Sequence, residues 1–388
     1  MNLDTILYTS QFLPLKDCMS LATTCKQVYG ASKYMYCNYL VEISEFNKEW
    51  IQKYKPKLIV QDIKYIEMPN IHTLNLSSNR LVNLPESIGQ LNNLTHLYLH
   101  SNQLVSLPSQ SIGELKNLTH LYLGSNQLVS LPESIGQLKS LTVLNLHSNR
   151  LARLPESIGE LKNLIHLDLA GNQLASLPEV IGQLENLTHL HLTVNQLISL
   201  PYSVGQLKNL IHLDLSFNQL TRLLECIGQL QNLTYLDLNR NQFARLPESI
   251  GQLQNLTHLY LNRNQVTSLP ESIGQLKNLI HLDLYNNQFT SLSESIGQLK
   301  NLTHLYLHHN QFTSLPSECI CQLKNLTHLY LNRNQFTNLL PQFISQSKSQ
   351  TQVHIMSEIF ACLCLDKYFT EMALKTSIPG RNEQVCKI

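Results

Sequence analysis

Apolar and polar residues alternate along a short stretch that recurs through most of the chain. In Leu94-Thr95-His96-Leu97-Tyr98-Leu99, the leucines at positions 97 and 99 alternate with His96 and Tyr98. A period of two puts successive side chains on opposite faces of a strand, so leucines occupy one face and His96 and Tyr98 the other. The pattern therefore predicts a short strand in each repeated unit. The units begin at Ile71, Leu94, Leu118, Leu141, Leu164, Leu187, Leu210, Leu233, Leu256, Leu279, Leu302 and Leu326.

The spacing of these units predicts how the strands are arranged. Nine units have 23 residues, and those beginning at Leu94, Leu302 and Leu326 have 24. A fixed period of this length is typical of a solenoid, since one strand cannot bury its leucines alone but stacked copies form a continuous core. The return segment, for example residues 131–138 (Leu-Pro-Glu-Ser-Ile-Gly-Gln-Leu), predicts a proline-led helical turn. We expect an α/β solenoid with a parallel sheet on the concave face and short helices or turns on the convex face. The strands lie about 4.8 Å apart, and the bulkier return segments need more room, so the stack curves towards the strands.

The full unit reads Leu-x-x-Leu-x-Leu-x-x-Asn-x-Leu-x-x-Leu-Pro-x-x-Ile-Gly-x-Leu-x-x and resembles the leucine-rich repeat family over residues 71–349. The resemblance implies that the asparagine points inward and bonds backbone groups of neighbouring turns. Cys321 and Ser345 replace the glycine, so the last two units are expected to be less regular. The asparagines are Asn79, Asn102, Asn126, Asn149, Asn172, Asn195, Asn218, Asn241, Asn264, Asn287, Asn310 and Asn334.

Residues 1–55 lack the repeat and are predicted to be helical. Within them, Phe12-Leu13-Pro14-Leu15-Lys16-Asp17, then Leu21, Cys25-Lys26 and Tyr29, resembles an F-box, which docks on the Skp-type adaptor of a cullin ubiquitin ligase. The family's opening Leu-Pro is missing, and Tyr29 stands where tryptophan is usual. The alternative interpretation is a helical cap that covers the first coil of the solenoid. On the F-box interpretation, the residues that contact the adaptor are Leu13, Pro14, Leu15, Leu21 and Cys25.

Two further segments flank the repeats. Residues 56–70 are predicted to be a linker or a degenerate first coil, and residues 350–388 a cap on the last coil followed by a frayed tail.

Composition limits the compartments in which the protein can be expected and the classes of partner that it can bind. Twenty-eight basic and 27 acidic residues give a net charge of +1, which does not favour nucleic acid or an anionic membrane. The first residues lack a signal peptide's basic patch and apolar run, and no apolar run approaches the length of a membrane span. Nine scattered cysteines fit a reducing compartment. We expect a cytoplasmic or nuclear protein, in which the repeated Asn-Leu-Thr sequons are by-products of the repeat.

The predicted concave face carries histidine, tyrosine, aspartate and arginine. Nine of sixteen histidines occupy the third position of a unit, and we interpret them as solvent-facing strand residues rather than metal ligands. Their mutual repulsion would lower their pKa values, so the protein would lose stability as the pH falls through the histidine range. Tyrosine and arginine are enriched at binding hot spots, whereas Asp168, Asp214 and Asp237 favour a basic segment. The candidate partner-binding residues are Tyr260, Arg263, Tyr285, Tyr306, His308, Tyr330 and Arg333.

The sequence shows no arrangement that predicts catalysis. Pairs such as His166 and Asp168 lie two residues apart, but no serine or cysteine nucleophile accompanies them, and no glycine-rich phosphate loop occurs. We therefore expect no enzymatic activity, no cofactor and no metal. The favoured hypothesis is a substrate receptor that presents a repeat-bound target to a ubiquitin ligase. The alternative is a scaffold that binds a signalling protein such as a Ras-type GTPase.

Overall fold

A computed structural model describes residues 72–84 and 86–336, together with the backbone of residues 352–354 and 385–387. The F-box hypothesis for residues 1–55 and the linker assigned to residues 56–70 lie outside the described residues, as does most of the cap assigned to residues 350–388.

The repeated alternation forms one sheet in which the strands follow chain order. Neighbouring strands from β1 to β13 are parallel, and β14 pairs antiparallel with β13. The register aligns equivalent positions, so Leu97 pairs with Leu121 and Tyr98 with Tyr122. The strands are β1 Thr73–Asn75, β2 His96–Tyr98, β3 His120–Tyr122, β4 Val143–Asn145, β5 His166–Asp168, β6 His189–His191, β7 His212–Asp214, β8 Tyr235–Asp237, β9 His258–Tyr260, β10 His281–Asp283, β11 His304–Tyr306, β12 His328–Tyr330, β13 Gln352–His354 and β14 Val385–Lys387.

The return segments are single turns of 3₁₀ helix. Pro132 lies just before its turn in extended conformation, at φ −72° and ψ 152°, and so leads the turn without being part of it. The same holds for Pro155, Pro178, Pro201, Pro247 and Pro270. In the unit where Cys321 replaces glycine, the turn is instead an α-helix, α1 Ser317–Cys321, which confirms a local irregularity there. The 3₁₀ turns are Glu86–Gln90, Ser111–Glu114, Glu133–Gln137, Glu156–Glu160, Glu179–Gln183, Tyr202–Gln206, Glu225–Gln229, Glu248–Gln252, Glu271–Gln275 and Glu294–Gln298.

A continuous hydrophobic core lies between the sheet and these turns. Leu97 of β2, Leu99 just after it and Ile112 of the return segment are buried, as are their equivalents in the following units. Each such side chain contributes roughly 1.5–3 kcal/mol when it is removed from water. The turns pack closely: a Cβ on Gly251 would lie 2.5 Å from the backbone oxygen of Ser272 in the next coil. Glycine therefore permits the close approach of consecutive turns.

The inner asparagines join consecutive coils, as the resemblance implied. Oδ1 of Asn102 accepts hydrogen bonds from the backbone N–H groups of Asn79 and Leu81, at 2.9 and 3.0 Å. Its Nδ2 donates to the carbonyl oxygens of Leu76 and Leu99, at 2.8 and 2.9 Å. An amide both donates and accepts, so it satisfies buried backbone groups of either kind.

Candidate binding face of the sheet

The side chains at the third and fifth positions of each unit line the face of the sheet opposite the core. His96 and Tyr98 are partly buried on this face, whereas Leu97 between them is fully buried. The predicted placement of the histidine column outside the core is therefore confirmed. Imidazole rings of neighbouring strands stack, with centroids 4.3 Å apart for His96 and His120 and for His304 and His328.

Threonine hydroxyls fix the tautomer of six of these histidines. Thr95 Oγ1 donates to the carbonyl oxygen of His72 at 2.8 Å and lies 2.9 Å from Nδ1 of His96. Because the hydroxyl has a single proton, Nδ1 of His96 must be the donor in the second contact, and Nε2 becomes the acceptor of the neutral ring. The same pair of contacts recurs at Thr119–His120, Thr188–His189, Thr257–His258, Thr303–His304 and Thr327–His328.

The predicted partner-binding residues on β11 and β12 form a stacked aromatic surface. Tyr306 and Tyr330 stack with centroids 4.6 Å apart and planes 7° apart. Beyond the strands, Tyr285 stacks on His308 at 4.3 Å. The guanidinium carbon of Arg263 lies 5.6 Å from the centroid of the Tyr285 ring. Five of the seven predicted residues therefore form two stacked groups with an arginine at their edge.

The remaining two predicted residues connect through histidines that the sequence analysis did not select. Tyr260 lies 4.7 Å from His281, which in turn lies 5.0 Å from Tyr306. The charge of Arg333 acts on His309, whose pKa is lowered by burial first and then by the two nearby arginines, Arg333 and Arg263. Reading across units at the third and eighth positions together would have found both histidines.

Acidic side chains occupy the fifth position on the strands before this surface. Asp214 and Asp237 are direct partners on β7 and β8, where like charges oppose each other. Asp237 is only 8% exposed, and burial, followed by the charge of Asp214, raises its pKa to about 6 despite hydrogen bonds from Asn239. Burial likewise raises the pKa of Asp283 to about 6, with Asp237 as a further cause.

Histidines on the same face shift in the opposite direction. Burial lowers the pKa of His212 and of His281 to about 4 in each case, and the charges of neighbouring histidines add to the effect. The prediction of lowered pKa values is confirmed for these two histidines, but mutual repulsion was the wrong leading cause, because loss of solvent contributes more. A histidine with a lowered pKa contributes stability above its ordinary pKa of 6.5, and this stability is lost as pH falls towards about 4.

The residue at the eighth position of each unit has a left-handed backbone conformation. Val194 has φ 56° and Phe217 has φ 52°, although left-handed geometry disfavours bulky and β-branched residues. Both side chains are exposed, at 53% and 43%. The guanidinium carbon of Arg240 lies 4.4 Å from the centroid of the Phe217 ring. This row of residues forms one rim of the sheet face.

An open groove of about 1290 Å³ follows the opposite rim, where the strands start. Its asparagines precede each strand by three residues and donate through Nδ2 to the preceding coil, as Asn186 does to the Lys162 carbonyl oxygen at 2.9 Å. Several of these asparagines belong to the Asn-Leu-Thr sequons, so the nitrogen that a glycan would modify already serves as a donor. The sequon asparagines with such a bond are Asn117, Asn186, Asn232, Asn255, Asn301 and Asn325.

Comparison with known families agrees with the architecture. The sequence matches the leucine rich repeat family over residues 69–128, 92–151, 139–197, 185–243 and 282–336. It also matches a leucine-rich repeat region over residues 218–288. These matches span more than half of the chain, and the protein therefore belongs to the leucine-rich repeat family. A comparison with curated proteins found no match.

Solved structures of the same fold come from several organisms. A leucine-rich repeat protein of Leptospira interrogans is 40% identical, with 74% of this chain and 84% of that chain covered and a TM-score of 0.58. An internalin (InlF) of Listeria monocytogenes is 23% identical over 75% of this chain and 83% of that chain, with a TM-score of 0.65. The Drosophila Toll–Spätzle complex is 24% identical over 75% of this chain and 42% of that chain, with a TM-score of 0.61. The last two similarities concern the fold alone.

Two further properties of the described residues bear on other classes of function. None of the helices described is both long and apolar enough to cross a lipid bilayer. Within the same residues, no three histidine, cysteine, aspartate or glutamate side chains come together as a metal site would require. Proteins with this fold are typically non-catalytic binding scaffolds.

Proposed function

We propose that this protein is a non-catalytic protein-binding protein that holds its target on the exposed face of the sheet. The observation that carries the proposal is the aromatic surface of β11 and β12, in which Tyr306 and Tyr330 stack at 4.6 Å on the face of the sheet opposite the core. Rigid stacked rings offer a large contact area with little conformational entropy left to lose, and tyrosine and arginine are the side chains that most often dominate binding energy.

A finer proposal concerns what happens to the bound target. The F-box resemblance of residues 1–55 supports a substrate receptor, in which Leu13, Pro14, Leu15, Leu21 and Cys25 contact a Skp-type adaptor and the sheet face presents the target to a cullin ubiquitin ligase. This part rests on the sequence resemblance. The competing proposal, a scaffold for a signalling protein such as a Ras-type GTPase, shares the sheet face and differs only in the role of the N-terminal helices.

Target binding is tested by affinity purification with mass spectrometry on the full chain. The variant Tyr306→Ala/Arg333→Ala should lose the captured target while its thermal melting temperature stays near that of wild type, because both side chains lie outside the core. The control Lys116→Ala/Lys277→Ala changes side chains away from this face and should keep the target. Equal recovery of the target by wild type and by the Tyr306/Arg333 variant would refute the assignment of this face.

The adaptor role has a separate test with purified components. A Skp-type adaptor should bind the full chain, and Leu13→Ala/Leu21→Ala should abolish the interaction without affecting capture of the target. If the adaptor does not bind wild type while the target does, the ubiquitin-ligase proposal fails and the scaffold proposal is favoured.

A further inference from the structure

Tyr260 lies between two aspartates on the sheet face. In the register of the sheet, its direct partners are Asp237 on β8 and Asp283 on β10. Strands are about 4.8 Å apart, so a group above the Tyr260 ring lies roughly 5 Å from the column of each neighbouring strand. The ring and the two carboxylates therefore border one small area of the face.

The ring of Tyr260 is not covered by a parallel stack from either neighbouring strand. Tyr235 on β8 is inclined to it by 45° at 5.3 Å, and His281 on β10 is inclined by 41° at 4.7 Å. At both ends of the array the tyrosines stack nearly flat, as Tyr98 and Tyr122 do at 4.8 Å and 2°. The rings around Tyr260 thus differ from those end stacks, because they are inclined to one another rather than parallel.

The carboxylates around Tyr260 lack a cation. Among the described residues, the one ion pair within 4.0 Å joins Lys139 and Glu160, far along the chain from this area. Oδ1 of Asp214 and Oδ1 of Asp283 each accept one backbone N–H, from Ser216 and Tyr285, both at 2.9 Å. Oδ1 of Asp237 accepts the backbone N–H and Nδ2 of Asn239, at 2.9 and 2.7 Å, and the Tyr235 hydroxyl also bonds this carboxylate. These partners are neutral, and charged groups removed from water are ordinarily paired with an opposite charge.

The arginines nearest in sequence do not supply the missing charge. Arg240 lies over the Phe217 ring at 4.4 Å, and Arg263 lies near the Tyr285 ring at 5.6 Å. Both belong to the left-handed rim, where their guanidinium groups contact aromatic rings rather than the aspartates. The positive charge of these arginines at the rim would repel a target with a large basic surface. It therefore favours a target that inserts only a narrow basic segment along the strands.

We propose that Asp214, Asp237, Tyr260 and Asp283 form a docking surface for a lysine or arginine side chain carried by an extended basic segment of a protein target. A cation above Tyr260 lies beside the inclined ring and between two carboxylates, so a single side chain can interact with all three groups. The inference rests on the proposed function and specifies the chemistry of its partner. Burial raises the pKa of Asp237 and of Asp283, as expected for carboxylates that lose water without gaining a cation.

The test uses the full chain and a fluorescein-labelled octalysine peptide, with fluorescence anisotropy at pH 7.5 and low salt. Wild type should bind the peptide, and the nearly isosteric variant Asp237→Asn/Asp283→Asn should bind it about tenfold more weakly. The control Glu114→Gln/Glu185→Gln removes the same total charge from two exposed side chains outside the face and should change affinity less than about twofold. Tyr260→Leu, which keeps both carboxylates, should weaken binding as well.

Each alternative outcome has a defined meaning. Equal weakening in the aspartate and glutamate variants would show general charge attraction and overturn the proposal, as would the absence of octalysine binding to wild type. Circular dichroism of the aspartate variant checks that it is folded, and octaglutamate serves as the peptide of opposite charge, which should not bind. If the captured target is insensitive to the aspartate variant but is lost in Tyr306→Ala/Arg333→Ala, the cation inference fails while the proposed function stands.

Discussion

Replacing Asn218 by alanine tests whether the inner asparagines hold the coils together. Its Oδ1 accepts the backbone N–H of Leu197 at 3.0 Å, and its Nδ2 donates to the carbonyl oxygens of Leu192 and Leu215 at 2.9 and 3.0 Å. The two carbonyls keep a second donor each, from Asn195 and Asn241. The buried N–H of Leu197 is the group that loses its acceptor.

The expected cost follows from this inventory. An orphaned buried donor costs about 1–3 kcal/mol, and each of the two other lost bonds about 0.5–1.5 kcal/mol. We therefore expect Asn218→Ala to lower the free energy of unfolding by about 2–6 kcal/mol. Asn209 provides the matched control, because its Nδ2 also bonds the preceding coil, to the Glu185 carbonyl oxygen at 2.8 Å, but it is exposed. Water replaces that bond, so Asn209→Ala should cost below about 1 kcal/mol.

Two measurements separate this explanation from general damage. Urea denaturation followed by circular dichroism gives the stability of each variant. Amide hydrogen exchange should accelerate at Leu197 in Asn218→Ala but much less at Leu220, whose N–H bonds Asn241 at 3.0 Å. If the two alanine variants lose the same stability, or if Leu197 keeps its protection, the reasoning about orphaned donors is refuted.

Three further predictions concern strain, packing and protonation. Val194→Asn should raise the melting temperature, since a β-branched residue at φ 56° carries about 1–2 kcal/mol of left-handed strain that asparagine tolerates; an unchanged melting temperature would argue against strain. Gly251→Ala should lower the free energy of unfolding by about 1–3 kcal/mol, measured in urea, because its Cβ would meet a backbone oxygen at 2.5 Å. Asp237→Asn/Asp283→Asn should be more stable than wild type at pH 7.5, because a carboxyl with a pKa raised to about 6 contributes stability at low pH that is lost as pH rises through that value. Between pH 6.5 and 4 the variant should lose stability more steeply than wild type, since only the histidine effect remains; parallel urea midpoints across this range would contradict the assignment.

The sequence predicted the strands and their faces because only one side of a short strand can be buried. Leu97 and Leu99 had to share the core, and His96 and Tyr98 had to lie opposite them, whatever their neighbours were. The fixed period then set the parallel register, because each strand meets an equivalent of itself one coil away. The inward role of the asparagine came from the family resemblance rather than from the pattern.

Other features depend on packing that a repeat pattern does not specify. The burial of Asp237 depends on how side chains pack across the sheet face, so a pattern that marks aspartate as polar misses its raised pKa. The inclination of the Tyr260 ring depends on Tyr235 and His281 in the same way. The left-handed conformation at Val194 is imposed by the chain's exit from the strand, against the preference of the residue itself. The roles assigned to the N-terminal helices stay predictions.

The uniform register of β1–β12 has a consequence for how such a chain changes in length. Every junction between consecutive coils uses the same kinds of contact, so excising one whole unit would join two surfaces already suited to each other. Each excision would shorten the sheet by a single strand spacing, about 4.8 Å. The number of repeated units therefore sets the length of the binding face, while the contacts at each junction between coils stay the same.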